Sequence, residues 1–433
     1  MTTEQEQALQ LATEAGHILL ENGAEISRVE ETMSRIASAY GVEDESFFVL
    51  SNGIIATGQH YARAEFIPIK GTQLAKVAEV NQLSRDVTGE APRSSGHGGA
   101  PQGASTAVMS VETLRQRIQA IRNMPGKTWW ELLSGTVCGM AAFSILFGGS
   151  LADALATLVA GVLLGCYITF LSSHLSRLAG SVAGGLVGGL SCLLVYRVSL
   201  QLGIPHQLHL PNMIIGTIIS LVPGVPFTNG MRDLANEDYI AGTTRLTDAF
   251  LVFLCIALGV ALSFIIDSMV MGGIVILGSP VKDAFASHWA IQLVAAFIGI
   301  VGFSILFGAP RRHYVACALV GTVGWAVYLW ALTGLSVVGA AFFSALSIAA
   351  ASHLLSRIMH SPVTIFLICG IIPLVPGGGI FWTAYYLVTN QLHLAASTGF
   401  VALKVTIAIA GGIILTAGLF NQLMKIKKRY GKS

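Results

Sequence analysis

Two proline-glycine pairs interrupt long apolar segments of this sequence, Pro223-Gly224 in the middle of the chain and Pro376-Gly377 near its end. Proline has no backbone N–H and its ring clashes with the preceding helical turn, so each pair frees carbonyl oxygens within an apolar segment. Those oxygens could hold a cation or a protonated group, and the N-terminus of the half-helix that follows could hold a carboxylate. These residues are therefore suited to binding a small charged or polar solute.

Each pair lies near the centre of a segment long enough to cross a bilayer. Lipid cannot satisfy free backbone groups, so such a break survives only where protein or a wet cavity surrounds it. Two matching breaks, one in each half of a polytopic protein, are typical of secondary transporters that bind substrate between two broken helices. The alternative is a pair of kinked helices that pack tightly and bind no solute. The candidate substrate-binding residues are Pro223, Gly224, Pro226, Thr228, Asn229, Pro376, Gly377, Gly378 and Tyr385.

A charged cluster follows the first break and supplies the candidates for coupling or gating, which are Arg232, Asp233, Arg245 and Asp248. A carboxylate one turn inside a membrane helix is costly unless it is paired, and Asp248 occupies such a position after Arg245. Transport coupled to protons requires a group that titrates, and Asp233 and Asp248 are the candidates for that role. The alternative is an arginine–aspartate pair that only fixes a loop.

The elements that must position these residues are membrane helices. The chain has 433 residues, of which 53% are hydrophobic and 11% charged, and its mean hydropathy is +0.69. These values, with successive apolar stretches of about 20 residues, predict a mostly α, polytopic membrane protein. We predict about ten spans, at residues 131–148, 152–171, 180–202, 211–231, 246–267, 286–308, 313–333, 337–354, 362–388 and 399–421.

The positive charges between the predicted spans alternate from one side to the other. Every second loop and the C-terminal tail carry them, at Arg177, Arg232, Arg245, Arg311, Arg312, Arg357, Lys425, Lys427, Lys428 and Arg429. The intervening loops hold almost none apart from Lys282, which sits beside Asp283. Positively charged loops stay in the cytoplasm, so both termini are predicted to be cytoplasmic. The acidic, polar N-terminus does not have the pattern of a secretory signal.

Residues 1–87 read as a small cytoplasmic α+β domain. Helical periodicity over residues 4–40 is interrupted at Asn22-Gly23, three β-rich runs lie within 46–70, and a further helix covers roughly 72–85. Residues 88–128 contain a flexible linker and a basic amphipathic helix. That helix suits the inner membrane surface, and packing on its own domain is the alternative.

The membrane part divides into two five-helix halves, residues 129–276 and 277–424, before a basic tail at 425–433. The sequence at 143–148 recurs at 303–308, at the end of the first span of each half. An odd number of spans per half inverts the second half relative to the first. The sequence at 173–177 recurs in similar form at 352–357, but it follows the second span in one half and the third in the other. Coincidence is therefore the alternative to a duplication of the two halves.

Several function classes find no support in the sequence. It has no Walker A segment, HExxH or nucleophile elbow, so we expect neither ATP-driven pumping nor enzyme activity. All six cysteines fall inside apolar segments without CxxC spacing and read as small buried hydrophobes, so no metal is expected. We also expect no cofactor and no nucleic-acid partner; the expected partners are a small-molecule substrate, membrane lipids and possible coupling protons.

Five stretches together resemble the threonine/serine exporter family. They are residues 23–32, 51–55, 221–230, 303–308 and 372–377. Arg232-Asp233, the loop from Gly242 to Arg245 and residues 321–324 extend the match. The resemblance implies a cytoplasmic N-terminal domain, ten spans, and export of small carboxylate-bearing metabolites driven by the membrane potential or a proton gradient. The second break reads Gly377-Gly378-Gly379, which is richer in glycine than the family pattern.

From the residues and the resemblance we predict a secondary transporter in the plasma membrane of a prokaryote that exports threonine, serine or a related amino acid. Alternating access around the two broken helices is the expected mechanism, with coupling to the proton-motive force. A dicarboxylate exporter and a passive channel are the alternatives, and a membrane-bound hydrolase would require catalytic spacing that residues 1–87 do not show.

Overall fold

A computed structural model of the chain describes residues 3–59, 61–68, 71–89, 109–203, 208–272, 275 and 282–430. The N-terminal part is α+β, as predicted. Its elements are α1 (Thr3–Glu21), α2 (Ile26–Ala39), β1 (Ser46–Leu50), β2 (Gly53–Gly58), β3 (Tyr61–Phe66), α3 (Leu74–Val87) and α4 (Val111–Arg122). The three strands form an antiparallel sheet in the order β1-β2-β3, with Ile55 opposite Phe48 and Ala64.

Helix α4 packs on its own domain, which is one of the two alternatives for this amphipathic segment. Its apolar stripe is buried, with Leu114 and Ile118 fully shielded within the same apolar core as α1, α2 and α3. Its arginines lie at the edge of that contact, where Arg117 pairs with Asp86 at 2.7 Å and Arg122 pairs with Glu14 at 2.6 Å. Of the two alternatives, the structure favours packing on the domain, because the apolar stripe of α4 is buried in the domain core.

The remainder is a bundle of apolar helices. They are α5 (Trp129–Leu146), α6 (Leu151–Cys166), α7 (Arg177–Gln201), α8 (Leu210–Ile218), α9 (Gly224–Ala235), α10 (Tyr239–Met271), α11 (Ala284–Ser287), α12 (Trp289–Leu306), α13 (Tyr314–Ala331), α14 (Val337–Ile358), α15 (Val363–Ile371), α16 (Gly377–Val388) and α17 (Leu392–Tyr430). Eight helices in the described part of the chain are individually long and apolar enough to span a membrane. The bent pairs α8–α9 and α15–α16 raise that number to ten, which matches the predicted count.

The N-terminal domain sits on one end of the bundle. The backbone N–H groups of Leu74 and Ala75 donate to the carbonyls of Phe307 and Gly308 at 3.1 and 2.9 Å, and Arg85 donates to the carbonyl of His360 at 3.1 Å. We call this end of the bundle the domain-proximal end. At the opposite, distal end the C-terminus of α5 meets the segment before α12.

Helices α5 and α12 cross in direct contact, and each ends in the same turn. A Cβ on Gly302 would lie 2.4 Å from the carbonyl oxygen of Gly135, so only glycine allows this approach. The rings of Phe143 and Phe303 meet edge-to-face at 4.9 Å. Both helices end in a left-handed glycine, Gly148 with φ 101° and Gly308 with φ 62°. The recurrent sequence at 143–148 and 303–308 thus has a recurrent structure.

Helices α7 and α10 are also in close contact where they cross, at Gly259 of α10. A Cβ on Gly259 would lie 2.1 Å from the carbonyl oxygen of Val182 and 2.7 Å from the backbone nitrogen of Leu186. Both neighbours are backbone atoms, which cannot rotate away. The two helices are therefore held at a separation that any side chain at this position would increase.

We expect Gly259→Ala to destabilise the fold by about 1–3 kcal/mol or more, the usual cost of overpacking a close-packed interior. The measurement is the thermal unfolding midpoint and the yield of folded protein in detergent. Gly418→Ala in α17 is the matched control, because a Cβ there has no atom within 4 Å. Equal midpoints for the two variants would contradict the close crossing of α7 and α10.

Candidate functional site

The two predicted helix breaks have nearly the same backbone geometry. Val222 and Val375 are extended, at φ −62°, ψ 129° and φ −60°, ψ 130°, and the following prolines have φ −76° with ψ 59° and 50°. The N–H of Gly224 donates to the carbonyl of Val222 at 2.8 Å, and that of Gly377 to Val375 at 2.7 Å. These values define an inverse γ-turn centred on each proline. The helices bend there by 60° and 44°.

The two breaks lie against each other. A Cβ on Gly377 would lie 2.9 Å from Cδ1 of Ile219 and 3.9 Å from Cγ2 of Val222, so α16 begins on the turn that ends α8. The glycine at this position leaves room for the first break. The expectation that two interrupted helices meet inside the bundle therefore agrees with the geometry.

A cavity of about 370 Å³ begins at the second break and extends toward the distal end. Its wall includes Pro376, Gly378 and Gly379 at the start of α16. The N-terminal turn of α16 therefore forms part of the cavity wall. Such an end carries partial positive charge and suits an anionic oxygen. Lys282 adds a full positive charge to the wall.

One polar residue of the cavity wall, Gln292, was not found from the sequence. Gln292 is 1% exposed, and its amide donates to the carbonyl of Ala286 at 2.7 Å and accepts from the indole N–H of Trp325 at 2.8 Å. Trp325 in turn stacks on Tyr328, with ring centroids 4.8 Å apart. The sequence does indicate such a role for Gln292, because a lone glutamine in an apolar span is costly unless its amide has hydrogen-bond partners. Gln292 therefore fixes the aromatic wall of the cavity.

The candidate residues of the first break lie outside the described cavity wall. Thr228 is fully buried and donates to the carbonyl of Gly224 at 2.8 Å. Asn229 is 1% exposed, and its side-chain N–H donates to the carbonyl of Gly23 in the N-terminal domain at 2.6 Å. Pro223 and Pro226 flank Gly224, where a Cβ would have open space. Of the candidates at the first break, Asn229 thus contacts the N-terminal domain.

Tyr385 lies in an aromatic cluster near the distal end. It is 3% exposed, and its ring packs edge-to-face on Phe264 of α10 at 5.5 Å and on Trp382 at 5.8 Å. It is absent from the described cavity wall. Tyr385 closes the contact between α16 and α10 instead.

Asp233 and Arg245 form a buried ion pair at the domain-proximal end, with 2.6 Å between Nη1 and Oδ2. The other carboxylate oxygen of Asp233 accepts the backbone N–H of Ile26 at 3.1 Å, and Nη2 of Arg245 donates to the carbonyl of Ala24 at 2.9 Å. Each member of the pair thus binds the short segment between α1 and α2. We call this segment, residues 23–26, the docking loop.

Arg232 strengthens the same junction. It pairs with the buried Glu25 of the docking loop at 2.5 Å and donates to the hydroxyl of Thr364 in α15 at 2.7 Å. One arginine therefore joins the docking loop, the end of the first broken helix and the start of the second. Three of the four candidates for coupling meet at the docking loop.

Asp248 has a different partner from the nearest arginine in the sequence. It pairs with Arg177 at the start of α7 and not with Arg245. Both side chains of this pair are partly exposed, at 40% for Arg177 and 32% for Asp248. Both candidate carboxylates are therefore paired with an arginine, Asp233 with Arg245 and Asp248 with Arg177.

Two carboxyls beside the junction have raised pKa values. Burial raises the pKa of Glu30, the Val49 N–H that it accepts at 3.2 Å opposes the rise, and the carboxylates of Asp238 and Asp233 add to it. Burial also raises the pKa of Asp238, which Arg245 opposes. A proton is therefore held more tightly at this acidic rim than on an isolated carboxyl.

We expect Glu30→Gln to stabilise the protein at neutral pH. A carboxyl whose pKa is higher in the folded state stabilises the fold while it is protonated, and this stability is lost as pH rises through the folded-state pKa. Glutamine stays neutral and keeps the oxygen that accepts from Val49. The unfolding midpoint should exceed that of the wild type at neutral pH, and the difference should shrink toward the ordinary glutamate pKa of about 4.3. A lower midpoint than that of Glu31→Gln, a control on the exposed face of α2, would contradict this.

Comparisons with known proteins cover almost the whole chain. The family model described as "Putative threonine/serine exporter" matches residues 10–95 and 102–266, and the one described as "Threonine/Serine exporter, ThrE" matches residues 292–418. The chain is 22% identical over 428 residues to the threonine/serine exporter of Corynebacterium glutamicum, an alignment that covers 96% of this chain and 83% of the relative. No solved structure matches it. The chain belongs to the threonine/serine exporter family.

Proposed function

We propose that this protein is a secondary transporter that exports threonine, serine or a related small amino acid. Membership of the exporter family supports amino-acid export. The observation that carries the proposal is the cavity at the second break, where the N-terminus of α16 and Lys282 offer positive charge to a carboxylate. The ammonium of the same substrate is proposed to be met by neutral oxygen atoms of the cavity wall.

The membrane part is proposed to consist of two inverted five-helix halves, α5–α10 and α12–α17. Three kinds of agreement support this division: the echoed turns after α5 and α12, the matching γ-turns, and equivalent packing. Helix α7 packs on α10 as α14 packs on α17, and α9 packs on α10 as α16 packs on α17. An inverted repeat with broken helices in corresponding positions is a recurrent architecture of secondary transporters.

The orientation follows from the charges between the helices. The loops at the domain-proximal end carry the arginines and lysines that predict a cytoplasmic location. The N-terminal domain and both termini are then cytoplasmic in a prokaryotic plasma membrane, and the cavity extends toward the outside. In this arrangement the docking loop covers the cytoplasmic end of the first broken helix.

Alternating access supplies the proposed mechanism. With the docking loop bound to Asp233, Arg232 and Arg245, the cytoplasmic side is closed and the cavity lies on the outer side of the breaks. Loading from the cytoplasm requires the docking loop to move away. Protonation of Asp233 removes the charge that Arg245 balances, so the proposed coupling step is the exchange of a proton at this carboxylate.

Dicarboxylate export is the second candidate. The observation that favours it is the charge of the cavity wall, which among its described residues has a cation and no carboxylate. A second carboxylate on the substrate would suit Lys282. A zwitterionic amino acid would need its ammonium satisfied by neutral oxygens of the described wall, without a carboxylate partner.

The experiment that separates the candidates is efflux from proteoliposomes containing the full chain. Vesicles are loaded with radiolabelled threonine, serine or succinate, and release is measured with and without a pH gradient. Faster release of threonine and serine, dependent on the gradient, is expected. Succinate as the preferred substrate would replace the amino-acid assignment, and gradient-independent release that does not saturate would identify a passive channel.

A further inference from the structure

A second polar pocket lies between the N-terminal sheet and the membrane helices. Its volume is about 600 Å³, within the range of small-molecule sites. The end of the sheet contributes Ser51, Asn52 and Phe66, and the domain-proximal ends of α7 and α10 supply the remaining helical wall. The pocket is separate from the cavity at the second break, since the two share no lining residue.

The wall of this pocket offers both charges at short range. Arg177 from α7 and Asp248 from α10 pair with each other at its edge and are partly exposed. Three threonines of α10, at positions 243, 244 and 247, line the same wall and are exposed. The hydroxyls of Thr243 and Thr244 donate to the backbone of their own helix, which leaves their oxygen lone pairs as acceptors toward the pocket.

The pocket adjoins the junction with the docking loop. Arg245 lines it, and the same guanidinium binds Asp233 and the carbonyl of Ala24. A solute in the pocket would therefore lie one side chain away from the contact that closes the domain-proximal side. This position suits the place where cargo arrives from the cytoplasm.

We propose that this pocket binds a small zwitterion, and that it is the loading site of the cargo amino acid. The carboxylate of the ligand replaces Asp248 as the partner of Arg177, and its ammonium replaces Arg177 as the partner of Asp248 and contacts the threonine oxygens. An exposed ion pair contributes about 0–1 kcal/mol, so the exchange costs little. The inference rests on the proposed function, because it names the entry point of the same transport.

The test uses the full chain in detergent and in proteoliposomes. L-Threonine binding is measured by calorimetry for the wild type, Arg177→Gln and Asp248→Asn, with Arg177→Lys as the conservative variant. Arg35→Gln is the matched control, since Arg35 forms an exposed pair with Glu31 at 2.9 Å away from the pocket. We expect at least tenfold weaker binding in Arg177→Gln and Asp248→Asn, partial recovery in Arg177→Lys and no change in the control.

Transport kinetics give the second readout. The loading-site variants should raise the KM for threonine on the side of the N-terminal domain at least tenfold. An unchanged KM in Arg177→Gln, with threonine efflux intact in the wild type, would overturn the loading site and leave the proposed function standing. Wild-type vesicles that release no amino acid would instead overturn the proposed function.

A lipid headgroup is the other source of the same zwitterionic chemistry, because the pocket lies at the membrane edge. Phosphoethanolamine serves as the soluble probe. If it binds in a manner that depends on Arg177 while threonine does not, the pocket is a lipid site and the loading role is overturned. Displacement of bound phosphoethanolamine by threonine would support the loading role.

Discussion

Replacing both residues of either break by alanine, as in Pro376→Ala with Gly377→Ala or Pro223→Ala with Gly224→Ala, is expected to slow export about a hundredfold while the protein still inserts. Proline inside a helix costs about 3 kcal/mol, so its removal favours the straight helix by a similar amount. The bent helix that transport requires then becomes less populated, and the transport cycle slows about a hundredfold, since each 1.36 kcal/mol is a factor of ten. The straight helix would also satisfy the carbonyls proposed to bind the substrate.

Efflux of labelled threonine from proteoliposomes measures this effect, with the amount of inserted protein determined in the same vesicles. Gly418→Ala is the control for adding a methyl group to a membrane helix, because nothing lies within 4 Å of its Cβ. A difference between the two breaks is also expected. Alanine at 377 meets Ile219 at 2.9 Å, whereas alanine at 224 meets open space, so Gly224→Ala alone should be the milder single change. Wild-type flux in either double variant would remove the breaks from the mechanism.

The second large effect is expected from Asp233→Asn. The asparagine keeps an oxygen for the N–H of Ile26 but loses the charge that balances Arg245, which is 3% exposed. Removing one partner of a buried ion pair typically costs about 3–5 kcal/mol. The docking loop should therefore separate from the bundle more often, and hydrogen exchange at the amide of Ile26 should become faster. The pH dependence of efflux should weaken as well.

A second variant separates the structural role of Asp233 from its role in coupling. Asp233→Asn combined with Arg245→Gln removes both charges of the buried pair, so neither member is left without its partner. Slow exchange at Ile26 should return in part, while the weakened pH dependence should persist. Glu31→Gln, which breaks an exposed pair, should change neither quantity. If the pH dependence of Asp233→Asn equals that of the wild type, Asp233 is not the coupling group.

Features that depend on neighbouring residues could be predicted from the sequence. The helix breaks follow from proline chemistry within four residues, and the three strands follow from short β-rich runs between turn residues. The turns at Gly148 and Gly308 belong to the same class, because the repeated sequence places a left-handed glycine at the end of each helix. Each of these features is decided inside one short stretch of chain.

Features that depend on distant partners could not be predicted. The contact between Asp233 and the N–H of Ile26 joins positions 207 residues apart, and Asp248 selects Arg177 at 71 residues over the neighbouring Arg245. The packing of α4 could not be predicted for the same reason, since an apolar stripe fits a bilayer surface and a protein core equally well. Which of these partners a residue or helix contacts is decided by the fold of the rest of the chain.

Helix α10 makes a contact near each end of the bundle, one polar and one aromatic. Arg245, near its start, is bonded to the docking loop, and Phe264, further along, packs on Tyr385 of the second broken helix. At 1.5 Å per residue these contacts lie about 29 Å apart, close to the thickness of the hydrocarbon core. One continuous helix therefore joins the polar contact of Arg245 with the docking loop to the aromatic contact of Phe264 with Tyr385. In the proposed alternating-access cycle, tilting this single stiff helix to release one of the two contacts would strain the other.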